Sequence, residues 1–392
     1  MPLPDATPPL PDEEDHRLHI LTIFGTRPEA IKLAPVVRAL AGRPGIVHTL
    51  CVTGQHREML DQVLKIFALV PDHDLAVMRP GQDLTHVTTA VLEGLGPVLD
   101  AARPDWVVVQ GDTTTAFVAS LAAFYRKIRV AHVEAGLRTG NILSPWPEEM
   151  NRKLTGQIAS LHFPPTAAAA ANLRREGIAE ERMLVTGNTV IDALHWVAGR
   201  LDTEPALAAG CAEKFPWLDP SRRLVLVTGH RRENFSGGLE RVCRALARLA
   251  ARGDVQIVYP VHLNPTVQAT AAAVLAASPA VHLIAPLDYL PFVWLMRQAH
   301  LIITDSGGIQ EEAPGLGKPV LVTRDTTERP EAIAAGTARL VGTGEAALVE
   351  AAAALLDDPA AYAAMARARN PFGDGRAAER IAGRLLQETL SR

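Results

Sequence analysis

Polar residues suited to acid–base chemistry follow two consecutive apolar runs in the first half of the chain. Residues 106–110 lead into a Gly-Asp-Thr-Thr-Thr turn that contains Asp112, and residues 130–133 lead into a polar turn that begins at Glu134. In open α/β sheets, ligand-facing groups gather beyond the carboxyl ends of the strands. Two carboxylates in neighbouring strand-end loops are therefore a candidate acid–base pair. Asp112 has an equally good alternative role as a helix N-cap, because Asp followed by three Thr residues is favourable there.

A third carboxylate, Glu148, lies in residues 144–152, where a tryptophan between two prolines is followed by a helical pattern. Glu148 and Arg152 are four residues apart, so they share a helical face if both are helical. From spacing alone, a plain surface ion pair is favoured over a catalytic role.

Two other runs combine glycine with polar residues directly after an apolar strand pattern, at residues 25–32 and 304–312. Each predicts a strand that feeds a tight turn and opens a helix, where free backbone N–H groups and the helix dipole favour an anion. Ser306, Gly307 and Gly308 add a hydroxyl and close backbone approach, which suits a pyrophosphate. These patterns predict a phosphorylated ligand held between two α/β domains.

Cationic, aromatic and acidic residues complete the predicted ligand site. His230 stands beside two arginines, Arg231 and Arg232, at the end of an apolar run, and the three suit phosphate oxygens or the charge on a departing pyrophosphate. Phe292, in the first turn of a predicted helix, is the candidate for stacking on a nucleobase, although the default role of such a residue is core packing. Glu312 is the candidate acceptor for ribose hydroxyls.

The elements that must position these residues are short β-rich runs alternating with longer amphipathic helical patterns, which predicts parallel sheets built from βαβ units. The predicted strands are residues 18–24, 47–53, 106–110, 130–133 and 183–185 in the first half, and 224–228, 255–259, 281–284, 301–304 and 319–323 in the second.

The same pattern predicts how the chain is divided. Residues 1–17 predict a disordered tail, and the Pro- and Gly-containing segment 202–223 predicts a linker and hinge. Two doubly wound α/β domains are expected on either side, at 18–201 and 224–392, with the option that the C-terminal helix packs back on the first.

Composition excludes several classes of protein. The chain has 392 residues, 48% of them hydrophobic, and a net charge of −4 with basic and acidic residues intermixed, so a nucleic-acid partner is not expected. Three cysteines lie far apart without metal-ligand spacing, which argues against a disulfide framework or zinc site and fits a reducing cytoplasm. No apolar run is long enough to span a membrane, and the N-terminal run lacks the order of a signal peptide. Neither a dinucleotide fingerprint nor a P-loop is present.

Together these motifs resemble those of the bacterial non-hydrolysing UDP-N-acetylglucosamine 2-epimerases. The resemblance extends from about residue 18 to the C-terminal helix and includes residues 25–32, 55–60, 111–115, 132–139, 145–152, 187–189, 229–233, 306–312 and 327–331. It implies a GT-B-like pair of Rossmann-type domains facing each other across a cleft, and a cytoplasmic homodimer. It also implies reversible interconversion of UDP-GlcNAc and UDP-ManNAc, without NAD or metal, to supply ManNAc for cell-surface polysaccharide.

The resemblance further implies a mechanism and a set of site residues. UDP would leave by anti elimination to 2-acetamidoglucal and return with a proton delivered to the other face. Asp112, Glu134 and Glu148 are then the acid–base candidates, with Arg152 orienting Glu148 and His230 beside the diphosphate; which carboxylate serves which face stays open. The implied ligand contacts are Arg27, Lys32, Asp112, Glu134, His230, Ser306, Gly307, Gly308, Glu312 and Arg329, with Phe292 at the base. Leu287 departs from the family, because relatives can carry a polar side chain at this position. We therefore expect uracil contacts from backbone groups and Phe292, with Leu287 lining the base pocket.

Relatives of this type are also activated by UDP-GlcNAc at a second site. The residues that match it are Gln55, His56, Arg57, Gln82, Arg231 and His262. The resemblance therefore implies that UDP-GlcNAc is an allosteric activator as well as a substrate.

Three alternative functions use much of the same chain. A hydrolysing epimerase shares the fold and the first chemical step but releases free ManNAc. A GT-B glycosyltransferase would pass the sugar of the same donor to an acceptor. A catalytically silent nucleotide-sugar sensor would keep the Ser306 loop but would not need three strand-end carboxylates.

Overall fold

A computed structural model describes residues 17–54, 57–79, 81–229 and 237–390. The predicted tail, except its last residue, lies outside the described residues. Among the predicted site residues, Gln55, His56, His230 and Arg231 also lie outside them.

Six parallel strands form the first sheet. They are β1 (Leu18–Phe24), β2 (Ile46–Val52), β3 (His73–Asp74), β4 (Trp106–Gln110), β5 (Arg129–Val133) and β6 (Leu161–Phe163). Their order across the sheet is β3-β2-β1-β4-β5-β6, the doubly wound order of dinucleotide-binding folds. The central strands read as continuous apolar runs because helices cover both faces of the sheet.

The second sheet repeats this design. Its strands are β7 (Arg223–Thr228), β8 (Val255–Pro260), β9 (Val281–Ile284), β10 (Leu301–Thr304), β11 (Val320–Val322) and β12 (Ala338–Leu340). Their order is β12-β11-β10-β7-β8-β9, and every pairing is parallel. Read from the β9 edge, this is the order of the first sheet, so the prediction of two Rossmann-like α/β sheets is confirmed.

Helices connect the strands and cover the sheets. They are α1 (Arg27–Ala41), α2 (Arg57–Phe67), α3 (Leu84–Ala102), α4 (Thr114–Tyr125), α5 (Glu148–Ile158), α6 (Ala167–Arg175), α7 (Thr189–Thr203), α8 (Pro205–Ala212), α9 (Gly238–Ala250), α10 (Pro265–Leu275), α11 (Tyr289–Gln298), α12 (Gly307–Gly315), α13 (Pro330–Ala334), α14 (Glu345–Asp357), α15 (Pro359–Ala366) and α16 (Ala377–Leu390). Several begin at a residue whose side chain accepts a hydrogen bond from the first turn, as Thr113 does for α4 and Asn188 for α7.

The segment predicted as a linker is largely ordered. It contains the end of α7 and all of α8, and beyond α8 Phe215 is buried and stacks on Trp294 with ring centroids 5.4 Å apart. Pro205, one of the prolines that suggested a break, instead begins α8, because the first helical position needs no backbone N–H donor. The role of this segment as a hinge stays a prediction.

The predicted strand at 183–185 is wrong. Only Met183 forms an isolated bridge, to His162, and the sixth strand of the first sheet is instead the three-residue β6. The strands β3 and β12 were also missed. Strands of two or three residues show no alternation that a sequence pattern can reveal.

The C-terminal helix α16 packs against α1 and α7 in the first half of the chain. The backbone N–H of Ala378 donates to Asp192 Oδ1 at 2.8 Å, and Arg380 Nη1 donates to the Thr186 carbonyl at 2.9 Å. The end of the chain therefore lies on helices that precede the second sheet.

Within the described ranges, no helix combines the length and apolar character that a membrane span requires. Cys51, Cys211 and Cys243 are buried and unpaired.

Candidate active site

Glu134 directly follows β5 and occupies an unusual backbone conformation. Its φ is 58°, in the left-handed region that residues other than glycine rarely adopt. Its carbonyl oxygen accepts a hydrogen bond of 2.6 Å from Arg152 Nη1, and both residues are buried. Strain of this kind persists only where the surroundings enforce it, and it clusters at functional sites.

The Glu134 carboxylate is surrounded by donors. Lys32 Nζ lies 2.5 Å from Oε1, Asn188 Nδ2 lies 3.0 Å from the same oxygen, and Gln110 Nε2 donates to Oε2. Burial alone would raise the pKa of Glu134, but the charges of Lys32 and Arg152 outweigh it and hold the pKa at about 2. The carboxylate is therefore ionised at neutral pH.

Arg152 joins the Glu134 loop to the Asp112 loop. Besides the Glu134 carbonyl, it donates through Nη2 to Asp112 Oδ2, and the neighbouring Asn151 Nδ2 donates to the Asp112 carbonyl at 3.0 Å. The Arg152 side chain is 7% exposed and that of Asp112 is 30% exposed. Helix α5 therefore fixes both strand-end loops while the Asp112 carboxylate stays partly accessible.

The expected pairing of Arg152 with Glu148 is wrong, both as a surface ion pair and as the orientation of Glu148 by Arg152. The guanidinium reaches inward to the strand ends, while Glu148 lies in the first turn of the same helix and its Oε2 is buried without a hydrogen-bond partner among the described residues. Sequence spacing shows that two residues can share a helix face, but not which side of the helix faces the sheet.

The Gly25 turn after β1 differs from the predicted anion site. Glu29 is buried, and its Oε2 accepts from the backbone N–H groups of Gly25 at 3.1 Å and Thr26 at 2.8 Å. Its other oxygen accepts from Thr113 Oγ1 at 2.6 Å, which ties this turn to the Asp112 loop. Two of the donors expected to hold a ligand anion are thus occupied by the protein's own carboxylate, which leaves the side chains of Arg27 and Lys32 as the candidate contacts from this turn.

The turn after β10 matches the predicted anion site more closely. Ser306 is the N-cap of α12 but makes no side-chain capping bond. A Cβ added at Gly307 would lie 3.8 Å from the Arg329 guanidinium carbon, and one added at Gly308 would lie 3.7 Å from Glu312 Oε1. The Ser306 turn, Arg329 and Glu312 are therefore neighbours around the start of a helix, as an anion site with an adjacent hydroxyl-binding group requires.

Glu312 differs from Glu134 in its charge state. Burial and the charge of the adjacent Glu311 raise the pKa of Glu312 to about 8. Its carboxyl is therefore mostly protonated at neutral pH, and a neutral carboxyl both donates and accepts hydrogen bonds.

Three residues that the sequence analysis did not select complete this network: Gln110, Asn188 and Glu311. Glu311 is buried, and its carboxylate accepts from Asn188 Nδ2 at 2.6 Å and from Arg329 Nε. Glu311 lies beside Glu312 in a run that was selected, but helical periodicity does not tell which of two adjacent carboxylates faces inward. Asn188 lies in the 187–189 segment of the resemblance, but its partners are 54 and 123 residues away, so no local pattern reveals these contacts.

The remaining predicted residues lie apart from these carboxylate contacts. Leu287, just before α11, and Phe292, in its first turn, are partly buried against the main core. Gln82 Oε1 accepts from the backbone N–H of Arg79 at 2.9 Å, and His262 Nδ1 accepts from that of Asn264 at 3.1 Å. Arg57 is the first residue of α2. The base pocket and the second site stay predictions.

In the part of the chain that the structure describes, no group of three or more His, Cys, Asp or Glu side chains is arranged to hold a metal ion.

Comparison of the sequence with known families finds one match that spans most of the chain. A family model described as UDP-N-acetylglucosamine 2-epimerase matches residues 38–386. The UDP-N-acetylglucosamine 2-epimerase of Escherichia coli K12 is 57% identical over 375 residues, which are 95% of this chain and 100% of that protein.

Solved structures of similar proteins share the fold. The UDP-GlcNAc 2-epimerase of Neisseria meningitidis bound to UDP-GlcNAc is 48% identical, with a TM-score of 0.85, and covers 94% of this chain and 100% of that one. The Methanocaldococcus jannaschii enzyme in complex with UDP-GlcNAc and UDP is 34% identical, with a TM-score of 0.76, over 95% of this chain and 100% of that one.

Proposed function

We propose that this chain, which belongs to the UDP-N-acetylglucosamine 2-epimerase family, interconverts UDP-GlcNAc and UDP-ManNAc by inverting C2 of the sugar. The observation that carries the proposal is the pair of strand-end carboxylates, Asp112 and Glu134, joined by the buried Arg152. Family membership supplies the substrate class, and this geometry supplies groups for proton transfer.

The reaction must overcome the low acidity of the C2 hydrogen while the anomeric bond is intact. In the proposed elimination, a base takes the C2 proton, the C1–O bond breaks with its electron pair going to UDP, and a C1–C2 double bond forms. In the return step, a UDP oxygen attacks C1 and C2 receives a proton on the opposite face. This route needs proton carriers on both faces, cations around the leaving diphosphate and exclusion of water while the glycal waits.

Asp112, Glu134 and Glu148 are the proposed proton carriers. Asp112 is partly exposed, so its carboxylate is accessible to a substrate. Glu148 has a buried oxygen that no donor among the described residues engages. Both oxygens of Glu134 are engaged by donors, so it acts on the substrate only after one of these donors moves. Glu134 also balances the positive charge of Lys32, which lies 2.5 Å away.

The diphosphate is proposed to bind where the Ser306 turn meets Arg329. The start of α12 offers donors that no serine side-chain cap occupies, and helix N-termini favour phosphate groups. Arg27, Lys32 and His230 are proposed as further cationic contacts. Glu312 is proposed to bind ribose hydroxyls, with Leu287 and Phe292 lining the base pocket.

Several finer features belong to the same proposal. We propose a cytoplasmic homodimer that needs neither NAD nor metal, supplies ManNAc for cell-surface polysaccharide, and is activated by a second UDP-GlcNAc molecule. The proposed second-site residues are Gln55, His56, Arg57, Gln82, Arg231 and His262. Closure of two domains about residues 202–223 is proposed to exclude water, and identical X-ray scattering profiles with and without UDP would contradict this closure.

The proposed activity is tested by incubating purified protein with UDP-GlcNAc in D2O, with EDTA and without NAD or any acceptor, and following sugar and nucleotide by NMR. We expect UDP-ManNAc that carries deuterium at C2. Free ManNAc with UDP would instead establish the hydrolysing reaction. Unchanged substrate, with and without added activator, would favour a glycosyltransferase or a sensor.

A further inference from the structure

Asn188 connects the two buried carboxylates that follow the two sheets. Its Nδ2 donates to Glu134 Oε1 at 3.0 Å and to Glu311 Oε2 at 2.6 Å. Glu134 follows β5 of the first sheet, and Glu311 lies on α12, directly after β10 of the second. All three side chains are buried. A single amide group therefore spans the two halves of the candidate site.

The orientation of this amide is fixed by its other contacts. Asn188 Oδ1 accepts from the backbone N–H of Val190 at 3.1 Å, which caps α7, and the Asn188 backbone N–H donates to the Phe372 carbonyl at 2.6 Å. Exchanging the amide oxygen and nitrogen would set an acceptor against two carboxylates and a donor against a donor. Both hydrogens of Nδ2 are thus committed to Glu134 and Glu311.

The bridge that the Asn188 amide forms between Glu134 and Glu311 lies within a row of side chains of alternating charge. Lys32 contacts Glu134 on one side of it, and Arg329 contacts Glu311 on the other. Both cations are proposed diphosphate contacts, and a bound diphosphate competes with the carboxylates for them. When the cations turn to the diphosphate, Asn188 keeps a donor on each carboxylate, and Glu134 also keeps the bond from Gln110. These donors matter because buried carboxylates without donors are costly.

We propose that Asn188 is a positioning residue, whose amide keeps Glu134 ionised and in place while the diphosphate engages Lys32 and Arg329. This inference rests on the proposed epimerase function. It assigns to Asn188 a role beyond capping α7.

The two roles are separable by substitution. Asn188→Ser keeps an oxygen that can cap α7 but is too short to reach both carboxylates. Asn188→Asp keeps both the shape and the cap, and replaces the donor by a third carboxylate. A residue that only caps the helix would tolerate Asn188→Ser.

The experiment measures kcat and KM for UDP-GlcNAc across the pH range in which the full-length protein is folded. For Asn188→Ser we expect kcat to fall at least about tenfold, the equivalent of one lost hydrogen bond to a charged group, with little change in KM. For Asn188→Asp we expect the same loss near neutral pH and a rising fraction of wild-type activity as the pH falls, because a protonated carboxyl regains one O–H donor.

Asp358→Asn is the matched control. Asp358 caps α15, because its Oδ1 accepts from the backbone N–H groups of Ala360 and Ala361. This substitution therefore exchanges one capping residue for another at a helix that carries none of the bridging residues. We expect wild-type kcat and pH dependence for this variant.

The outcomes separate the inference from the function on which it rests. A wild-type protein that does not convert UDP-GlcNAc would overturn the proposed function. An active wild type together with an Asn188→Ser variant of unchanged kcat would overturn the inference alone. If Asn188→Ser does not fold, Asn188→Asp decides: recovery at low pH supports the bridge, and an activity ratio that is independent of pH contradicts it.

Discussion

The strand-end loops of the two sheets share one topology but use their polar groups differently. After β1, β4 and β5, the protein's own side chains engage the donors and acceptors: Glu29 takes two backbone N–H groups, and Glu134 is surrounded by Lys32, Gln110 and Asn188. After β10, Ser306 leaves the start of α12 without a side-chain cap. Groups whose hydrogen bonds are satisfied within the protein are held in place for chemistry, whereas backbone donors that no side chain caps suit a ligand anion. The comparison supports the proposal that catalysis and UDP binding are divided between the two sheets.

The largest effect is expected from Asp112→Asn in the first sheet. The amide keeps the shape of the side chain and an oxygen for Arg152 but cannot exchange a proton, so kcat should fall about 10²–10⁴-fold, as for loss of a general acid or base. Steady-state kinetics with UDP-GlcNAc measures this.

Asp100→Asn is the control for that variant. Asp100 pairs with Arg126 at 2.6 Å on the surface, so kcat should be unchanged. An undiminished kcat in Asp112→Asn would remove Asp112 from the chemistry.

The two glycine turns should differ in how much an added Cβ lowers the free energy of unfolding, and Gly25→Ala tests the first of them. A Cβ at Gly25 would lie 2.0 Å from Thr53 Oγ1 and 2.7 Å from Thr115 Oγ1, whereas one at Gly308 meets no atom of the described residues closer than 3.7 Å. We expect Gly25→Ala to lower the free energy of unfolding by about 1–3 kcal/mol, a typical cost of overpacking. Denaturant unfolding of the ligand-free protein measures it.

Gly308→Ala is the matched variant in the second sheet. It should leave stability without ligand unchanged and weaken UDP binding, because the backbone could no longer approach the diphosphate closely. Equal stability losses in the two variants would contradict the proposed difference between the turns.

Glu312 provides a pH test of the second sheet. Its pKa of about 8 lies above the ordinary value of 4.5, so the folded state holds a proton that the unfolded state releases. The corresponding stability is complete below about pH 4.5 and is lost as the pH rises toward 8, by about 1.4 kcal/mol for each unit of pKa difference. Glu312→Gln should flatten this part of the profile. Thermal unfolding of both proteins between these pH values is the measurement, and parallel profiles would contradict the assignment.

The smallest effect is expected from Ser306→Ala. Loss of one hydroxyl contact to the diphosphate should weaken UDP binding about tenfold, near the lower bound for a hydrogen bond to a charged group, and leave kcat at saturation nearly unchanged. Calorimetric titration with UDP and saturation kinetics measure the two quantities. A fall in kcat at unchanged affinity would place Ser306 with the first-sheet chemistry.

The regular parts of the fold could be predicted from sequence. The bounds of β1, β4 and β10 agree with the apolar runs, because buried parallel strands read as continuous hydrophobic segments between turns. Those of β9, a partly buried edge strand, agree as well. The short β3, β6 and β12 could not be found, since pairing with a neighbouring strand defines them more than their own residues do. Helix α8 was obscured by prolines and glycines that were interpreted as a linker.

The candidate site was predictable where topology alone brings residues together. Asp112 and Glu134 follow adjacent strands, so their convergence follows from strand order. The direction of Arg152 does not, because it depends on how α5 lies on the sheet. Asn188 and Glu311 meet only after both sheets have formed, and Glu29 was interpreted as part of a ligand turn that its own carboxylate partly fills.

The proposed separation of catalysis and UDP binding between the two sheets is tested most directly with the Asp112→Asn variant. Its affinity for UDP is measured by calorimetry, and C2 deuterium exchange of UDP-GlcNAc in D2O is followed on the same sample. We expect UDP affinity close to that of the wild type together with loss of exchange. Loss of UDP binding in parallel with exchange, in a variant that unfolds like the wild type, would contradict the account.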